Sequence, residues 1–269
     1  MNPMYTKPGS RRRKPRTSGQ DIIRVLSTTV FSAVILATVF TSWEPASLRP
    51  DELAARYLAA ARADEDEAFD ESAVEGVKLR VGIVSGHRGI HPDTGIQDPG
   101  AVCSDGLTEE EVNYGIAELV VNGLQAAGIE ADLLEEFDDR LTGYRAVALV
   151  SIHADTCMYI NDEASGYKVT TIVDTDVPDR SQRLEACIVD RYARATNLEY
   201  HPGSLTRDMT EYHTFYEISS QTPAVIIETG FLFLDRTFLT ESPEVAASGI
   251  VDGILCYVNN EPSEMDNGE

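Results

Sequence analysis

The sequence has 269 residues, which is enough for one domain of ordinary size with additional segments. Hydrophobic residues make up 42% of it, sufficient for a globular core, and the formal net charge is -23. A chain this acidic is not expected to bind nucleic acid, because it repels the phosphate backbone. Basic residues are concentrated between Met1 and Arg24, so the remainder of the chain is still more acidic.

The N-terminal part predicts a membrane anchor. Residues 1–20 are basic and rich in Pro, Ser and Gly, and we expect a disordered cytoplasmic tail there. As a helix, the uncharged segment Val25–Trp43 would span about 28 Å, close to the hydrocarbon thickness of a bilayer. We therefore predict one transmembrane signal anchor over residues 21–43, which places the acidic body outside the cell membrane. A cleavable signal peptide is the alternative, but the apolar segment is longer than usual and no clear A-x-A site follows it.

The next segments connect this anchor to a folded domain. Residues 44–76 predict a short helix over Pro50–Ala63 and then an acidic, weakly apolar linker. We place the domain at residues 77–260 and an acidic tail at residues 261–269.

Strand and helix patterns alternate within the domain. Short apolar runs predict strands at Val81–Val84, Ala131–Leu134, Val147–His153, Lys168–Val173 and Ala224–Glu228. Helical spacing of apolar residues predicts helices at Glu110–Ala127, Arg180–Ala195 and Pro243–Val258. Nearly continuous apolar runs are typical of parallel strands that are buried on both faces. The alternation therefore predicts a three-layer α/β/α domain with a mainly parallel sheet.

Polar side chains stand where three of these strands end. His87 follows the first strand, His153 ends the third, and Glu228 ends the last. The carboxyl ends of parallel strands meet at one edge of a sheet, where sites form, and Glu109–Glu111 open a helix at the same edge. Imidazole and carboxylate groups are the ligands of many catalytic zinc sites. The pattern therefore indicates a metal site at this edge.

These residues lie in motifs that resemble a known family. In order, GHRG, DPGA, GLTEEEVN, VSIHAD and PAVIIETGF are similar to the zinc-dependent N-acetylmuramoyl-L-alanine amidases of type 3, from Val81 to about Val258. That family cuts peptidoglycan between the glycan lactyl group and the stem peptide. The resemblance implies that His87, Glu109 and His153 bind Zn²⁺. It also implies that Glu228 is catalytic, taking a proton from the attacking water and returning it to the leaving amine.

The sequence departs from the family pattern in four places. HRG replaces HGG, the segment Ile90–Gln97 is inserted, and the usual SIHAN ends in Asp155. The customary TR-containing motif before this strand is absent. His91 in the insertion competes with His87 as a candidate ligand, although the GHRG match favours His87. These departures concern the substrate contacts more than the metal ligands.

Three other functions stay open on the sequence alone. One is a zinc peptidase that cuts within the stem peptide, and another is an inactive wall-binding module. The third is a Cys–His hydrolase that uses Cys103 or Cys157, although neither cysteine begins a helix after a strand. His201 and His213 are not assigned, and His213 is either a substrate contact or an ordinary surface histidine.

Four cysteines in an extracytoplasmic domain favour disulfides. Cys103 and Cys157 both belong to the predicted rim of the site, and we predict a bridge between them. Cys187 and Cys256 lie within predicted helices and are expected to be buried thiols.

Overall fold

A computed structural model describes residues 79–172 and 175–264. The predicted cytoplasmic tail, membrane anchor and linker lie outside these residues, as does most of the predicted acidic tail. Within the described part of the chain, no helix is both long and apolar enough to cross a membrane.

A five-stranded sheet forms the centre of the domain, with the strand order β2-β1-β3-β5-β4. Its strands are β1 (Arg80–Ser85), β2 (Glu130–Glu135), β3 (Ala148–Asp155), β4 (Lys168–Thr170) and β5 (Ala224–Phe231). The first three strands and β5 are mutually parallel, whereas β4 pairs antiparallel with β5 at the edge. The predicted α/β class with a mainly parallel sheet is confirmed.

Three long helices cover one face of the sheet. They are α1 (Glu109–Ala126), α2 (Pro178–Thr196) and α6 (Pro243–Val258). Their apolar side chains meet those of the strands in the larger core cluster, where Ile116, Ile188 and Ile250 are fully buried. Each such side chain contributes about 1.5–3 kcal/mol to folding.

The opposite face of the sheet has a thinner cover. Among the described residues, the short helical segments are 3₁₀ turns at Asp139–Leu141 and Pro202–Ser204, α3 (Arg207–Thr210), α4 (Thr214–Glu217) and α5 (Arg236–Glu241), of which α5 packs on the larger core. Residues from the first turn, α3 and α4 join Val84 and Leu149 in a second, smaller core cluster. Because no long helix lies over this face in the described residues, side chains at its carboxyl edge stay accessible.

The start of α1 is fixed by its own sequence. Thr108 is the N-cap, and its hydroxyl accepts a hydrogen bond from the Glu111 N–H at 3.2 Å. The Glu111 carboxylate accepts the Thr108 N–H at 3.3 Å, which completes a capping box. Glu109 is therefore the first residue of the helix, and its side chain is held at the sheet edge.

The prediction of buried thiols at Cys187 and Cys256 is wrong, because these residues form a disulfide. Cys187 lies in α2 and Cys256 in α6, and the two helices pack side by side on the same face of the sheet. Their Cα atoms are 5.7 Å apart, within the range that a disulfide spans.

This bridge gives a testable stability difference. Replacing both Cys187 and Cys256 by Ala should lower the free energy of unfolding by about 2–4 kcal/mol, because the bridge constrains the unfolded chain. Urea unfolding without reductant measures the difference between variant and wild type. In reductant the two proteins should unfold at similar midpoints, and equal midpoints without reductant would contradict the prediction.

Candidate active site

Three potential metal ligands meet at the carboxyl edge of the sheet. Glu109 Oε1 lies 3.3 Å from His87 Nε2 and 3.3 Å from His153 Nδ1. The two imidazole rings are 5.1 Å apart between centroids and nearly perpendicular, at 80°. One donor atom from each of the three residues lies within 4.8 Å of the others. The carboxylate thus stands between the two imidazoles.

The strand order explains why the histidines are neighbours. His87 follows β1 and His153 lies in β3, which pairs directly with β1. The glycine between them in space is required, because a Cβ at Gly86 would lie only 2.3 Å from His153 Cε1. His87 itself has a φ of 60°, so the chain turns there through the left-handed region.

The DPGA loop closes around the glutamate. Gly100 has a φ of +62°, and a Cβ on it would lie 2.6 Å from Glu109 Oε2 and 2.7 Å from the His87 ring. The Ala101 N–H donates to Glu109 Oε2 at 3.0 Å, and the Ala154 N–H donates to Oε1 at 3.3 Å. Backbone donors therefore hold both oxygens of this buried carboxylate.

The carboxylates around His87 and His153 favour a positive charge at this point of the site. Burial disfavours a charged imidazole, but the carboxylates of Glu109, Asp98 and Glu136 outweigh it and raise the pKa of His87 to about 10. Burial likewise opposes the charge on Glu109, yet the facing histidines hold the pKa of this carboxyl below its usual range. A divalent cation bound between these side chains would compensate the same negative charges. Two imidazole nitrogens and one carboxylate oxygen are a donor set of catalytic zinc sites, so the residues present fit Zn²⁺.

Asp98 faces the other side of the His87 ring. Its Oδ2 lies 3.0 Å from His87 Nδ1, while Oδ1 accepts the Gly100 N–H at 3.0 Å. A carboxylate on the outer nitrogen of a ligand histidine fixes the tautomer and the ring orientation. His87, Asp98 and Glu136 also form a second close group. Since His87 Nδ1 already faces Asp98, this second group serves to orient His87.

Glu228 lies beside the ligand group. It pairs in register with His153 across β3 and β5, so both side chains project from the same face of the sheet. Its Oε2 atom is buried and has no hydrogen-bond partner among the described residues. Burial is the main cause that raises the pKa of Glu228, to about 7. A carboxyl of this kind is suited to exchange protons near neutral pH.

A cavity of about 550 Å³ joins these residues. His87, Glu109, His153 and Glu228 contribute to one part of its wall, and residues of α3 and the segment after it contribute to another. The structure thus brings all four sequence-predicted site residues to one cavity.

The departure at Asp155 has a local explanation. Lys168 of β4 pairs in register with Glu228, is 3% exposed, and donates to Asp155 Oδ2. A buried ammonium needs a charged partner, which a carboxylate supplies and an amide does not. Asp155, the last residue of the SIHAD motif, is therefore the charged partner of Lys168.

Of the other candidate histidines, His91, His201 and His213, only His213 lines the cavity. The His91 ring lies against Phe137 at 5.0 Å, and His91 is not part of the ligand group. His213 lines the cavity, with Nε2 at 3.0 Å from Glu136 Oε1. His201 does not line it.

Glu136 and Tyr212 line the cavity beside the two ligand histidines, and the sequence motifs indicate neither of them. Glu136 directly follows β2, so the rule that placed His87 and His153 at strand ends applies to it as well. Tyr212 has no such signal, because it lies in an irregular segment between two short helices.

The predicted bridge between Cys103 and Cys157 is confirmed, with Cα atoms 5.2 Å apart. It joins the loop before α1 to the segment after β3, at the rim of the site. No free cysteine exists among the described residues. The Cys–His hydrolase is therefore rejected, since its nucleophile would be bridged.

Comparison with known proteins agrees with the fold and the motifs. The family model Amidase_3, described as N-acetylmuramoyl-L-alanine amidase, matches residues 81–255. No curated protein sequence matches the chain.

Several solved structures share the fold. AmiC2, an N-acetylmuramoyl-L-alanine amidase of Nostoc punctiforme, has a TM-score of 0.51 and 25% identity over 67% of this chain and 97% of its own. The CwlD amidase of Clostridioides difficile, solved with the GerS lipoprotein, has a TM-score of 0.53 and 20% identity, and the match covers 68% of this chain and 100% of that one. An N-acetylmuramoyl-L-alanine amidase of Clostridium difficile 630 has a TM-score of 0.54 and 19% identity, and the match covers 70% of this chain and 100% of that one.

The DPGA loop gives a prediction with an internal control. Gly100→Ala should weaken Zn²⁺ binding by about 10-fold or more, because its Cβ would displace Glu109 and His87. Gly95→Ala has a similar φ of +68° but no atom within 4 Å of the new Cβ. It should bear only the backbone cost of about 1–2 kcal/mol. Competition with a chromophoric chelator measures affinity, and equal affinities for both variants would contradict the close contact.

Proposed function

Since the chain belongs to the N-acetylmuramoyl-L-alanine amidase family and hydrolyses the bond between N-acetylmuramic acid and L-alanine in peptidoglycan, we propose that it does so as a zinc enzyme with Glu228 as general base. In this proposal the zinc ligands are His87, Glu109 and His153. The observation that carries it is the convergence of these three donor atoms within 4.8 Å of one another. The general zinc dependence of the family supports the same assignment.

Zn²⁺ held by this group would lower the pKa of a water molecule to about 7 and polarise the scissile carbonyl. Glu228 is the proton carrier in the proposal. Its unpartnered Oε2 accepts a proton from the attacking water and then returns it to the leaving amine of L-alanine. A pKa of about 7 lets one carboxyl perform both transfers. Glu109 cannot share this role, because its oxygens are occupied by backbone donors and the histidines.

The family match disfavours the two alternatives that the sequence leaves open. A peptidase within the stem would release fragments that lack the N-terminal L-alanine, whereas the amidase releases intact stem peptides. An inactive wall-binding module would gain nothing from a buried carboxylate between two histidines, because burial of this charged group lowers the stability of the fold.

The division of roles between base and ligand is testable. Glu228→Gln keeps the size of the side chain but cannot accept a proton, so activity should fall about 10²–10⁴-fold while zinc stays bound. Glu109→Gln removes a charged ligand, so zinc and activity should be lost together. Metal analysis of the purified protein and mass spectrometry of digested peptidoglycan, scored for free stem peptides, measure both effects.

Glu111→Gln is the matched control, since it lies in the same helical turn and Gln also supports a capping box. It should keep both zinc and activity. Loss of zinc from Glu228→Gln would make Glu228 a ligand, and full activity of that variant would refute the mechanism.

We also propose that Val25–Trp43 anchors the enzyme in the cell membrane, with the catalytic domain on the outer side, where its substrate lies. The support is the uncharged length of this segment and the basic residues before it. The full-length protein should sediment with membranes and resist carbonate extraction, whereas a chain that starts at Val77 should stay in solution. A mature N-terminus at or beyond Glu44 would show that the segment is cleaved instead.

A further inference from the structure

Two consecutive residues reach the outer sides of both candidate ligand histidines. Tyr212 and His213 lie in the segment between α3 and α4, and Tyr212 belongs to the smaller core cluster. Tyr212 is 5% exposed, so its hydroxyl needs partners inside the protein. The family match assigns no role to either residue.

Tyr212 contacts His153 directly. Its hydroxyl lies 3.3 Å from His153 Nε2, and it accepts a hydrogen bond from Ser151 Oγ at 3.1 Å. The other nitrogen of His153, Nδ1, faces Glu109. If Nδ1 binds the zinc of the proposed function, Nε2 carries the proton, and its N–H donates to the tyrosine oxygen. The hydroxyl therefore holds the ring of His153 in the orientation that presents Nδ1 to the ligand group.

His213 acts on His87 through one intermediate residue. Its Nε2 lies 3.0 Å from Glu136 Oε1, and Glu136 Oε2 accepts the His87 N–H. The Glu136 N–H donates to the Arg88 carbonyl at 2.9 Å, so Glu136 binds the backbone on both sides of the turn. This turn is the one in which His87 adopts a φ of 60°, a conformation that L-residues rarely hold without support.

His213 is held rigidly enough to transmit this support. Its Nδ1 lies 2.9 Å from Glu217 Oε1, and its ring stacks on Phe137 with centroids 5.2 Å apart and an interplanar angle of 4°. Both ring nitrogens and one ring face thus have fixed partners. A free surface histidine would have none of these constraints.

We propose that Tyr212 and His213 form an outer clamp that positions the two zinc ligands, Tyr212 acting on His153 and His213 acting through Glu136 on His87. The inference rests on the zinc site of the proposed function. Because the two residues are adjacent, a displacement of this one segment moves both ligands together. They are positioning residues and bind neither zinc nor substrate in this role.

The test measures zinc affinity and ligand geometry separately from activity. Tyr212→Phe removes only a hydroxyl, and His213→Ala removes a half-exposed ring. Each should weaken Zn²⁺ binding about 10–100-fold in competition with a chromophoric chelator. Each should also change the visible absorption spectrum of the Co²⁺-substituted protein, which reports the arrangement of the ligands.

Matched controls separate the clamp from general destabilisation. Tyr216→Phe alters a tyrosine of the adjoining helix α4 that is 64% exposed, and His91→Ala removes a histidine that also contacts Phe137. Neither should change affinity or spectrum. If His213 acts through Glu136, adding His213→Ala to Glu136→Gln should weaken binding little further than Glu136→Gln alone.

The outcomes distinguish this inference from the proposed function. Wild-type protein that binds zinc and releases stem peptides, with unchanged affinity and spectrum in Tyr212→Phe and His213→Ala, overturns the clamp alone. Wild-type protein that binds no zinc overturns the zinc mechanism and the clamp with it.

Discussion

The Glu109 carboxylate between two imidazoles is the interaction on which the site depends. A buried carboxylate is unfavourable unless charges and hydrogen-bond donors compensate for its lost hydration. Here the compensation comes from the histidines after β1 and in β3 and from backbone N–H groups of the DPGA loop and β3, while the start of α1 positions the carboxylate itself. Each part is placed by a local rule, such as the Thr108 cap or the left-handed Gly100. The site therefore forms only when the sheet, the loop and the helix agree in position.

The two faces of the sheet divide the work of the domain. The long helices α1, α2 and α6 bury the larger core on one face. The row of His153, Glu228 and Lys168, which are in register on neighbouring strands, projects from the other face, where the cover is made of short segments. A long helix over that row would bury the apolar surface better but would also close the cavity. The thin cover is thus the condition for access by a polymeric substrate.

Much of this arrangement was predictable, and the exceptions have physical causes. Buried parallel strands carry nearly continuous apolar runs, so the sequence indicates where they end. His87, His153 and Glu228 lie at these ends and could therefore be predicted. The Cys187–Cys256 bridge depends on two helices lying on the same side of the sheet, which the alternation of strands and helices leaves undetermined. Lys168 pairs with Asp155 because a short edge strand runs antiparallel, and three residues carry no pattern that reveals strand direction. Tyr212 is placed by tertiary packing alone.

The two disulfides divide the chain into two successive covalent rings. The bridge from Cys103 to Cys157 encloses Glu109 and His153, and the bridge from Cys187 to Cys256 encloses Glu228. A protease that cuts the exposed turn at Thr142–Gly143 therefore leaves both fragments joined. The exposed segment Met158–Ile160 lies between the rings, so a cut there leaves Glu109 and His153 on one fragment and Glu228 on the other, with no disulfide joining them. In a protease-rich surrounding, the position of a cut decides whether the halves of the site remain one molecule.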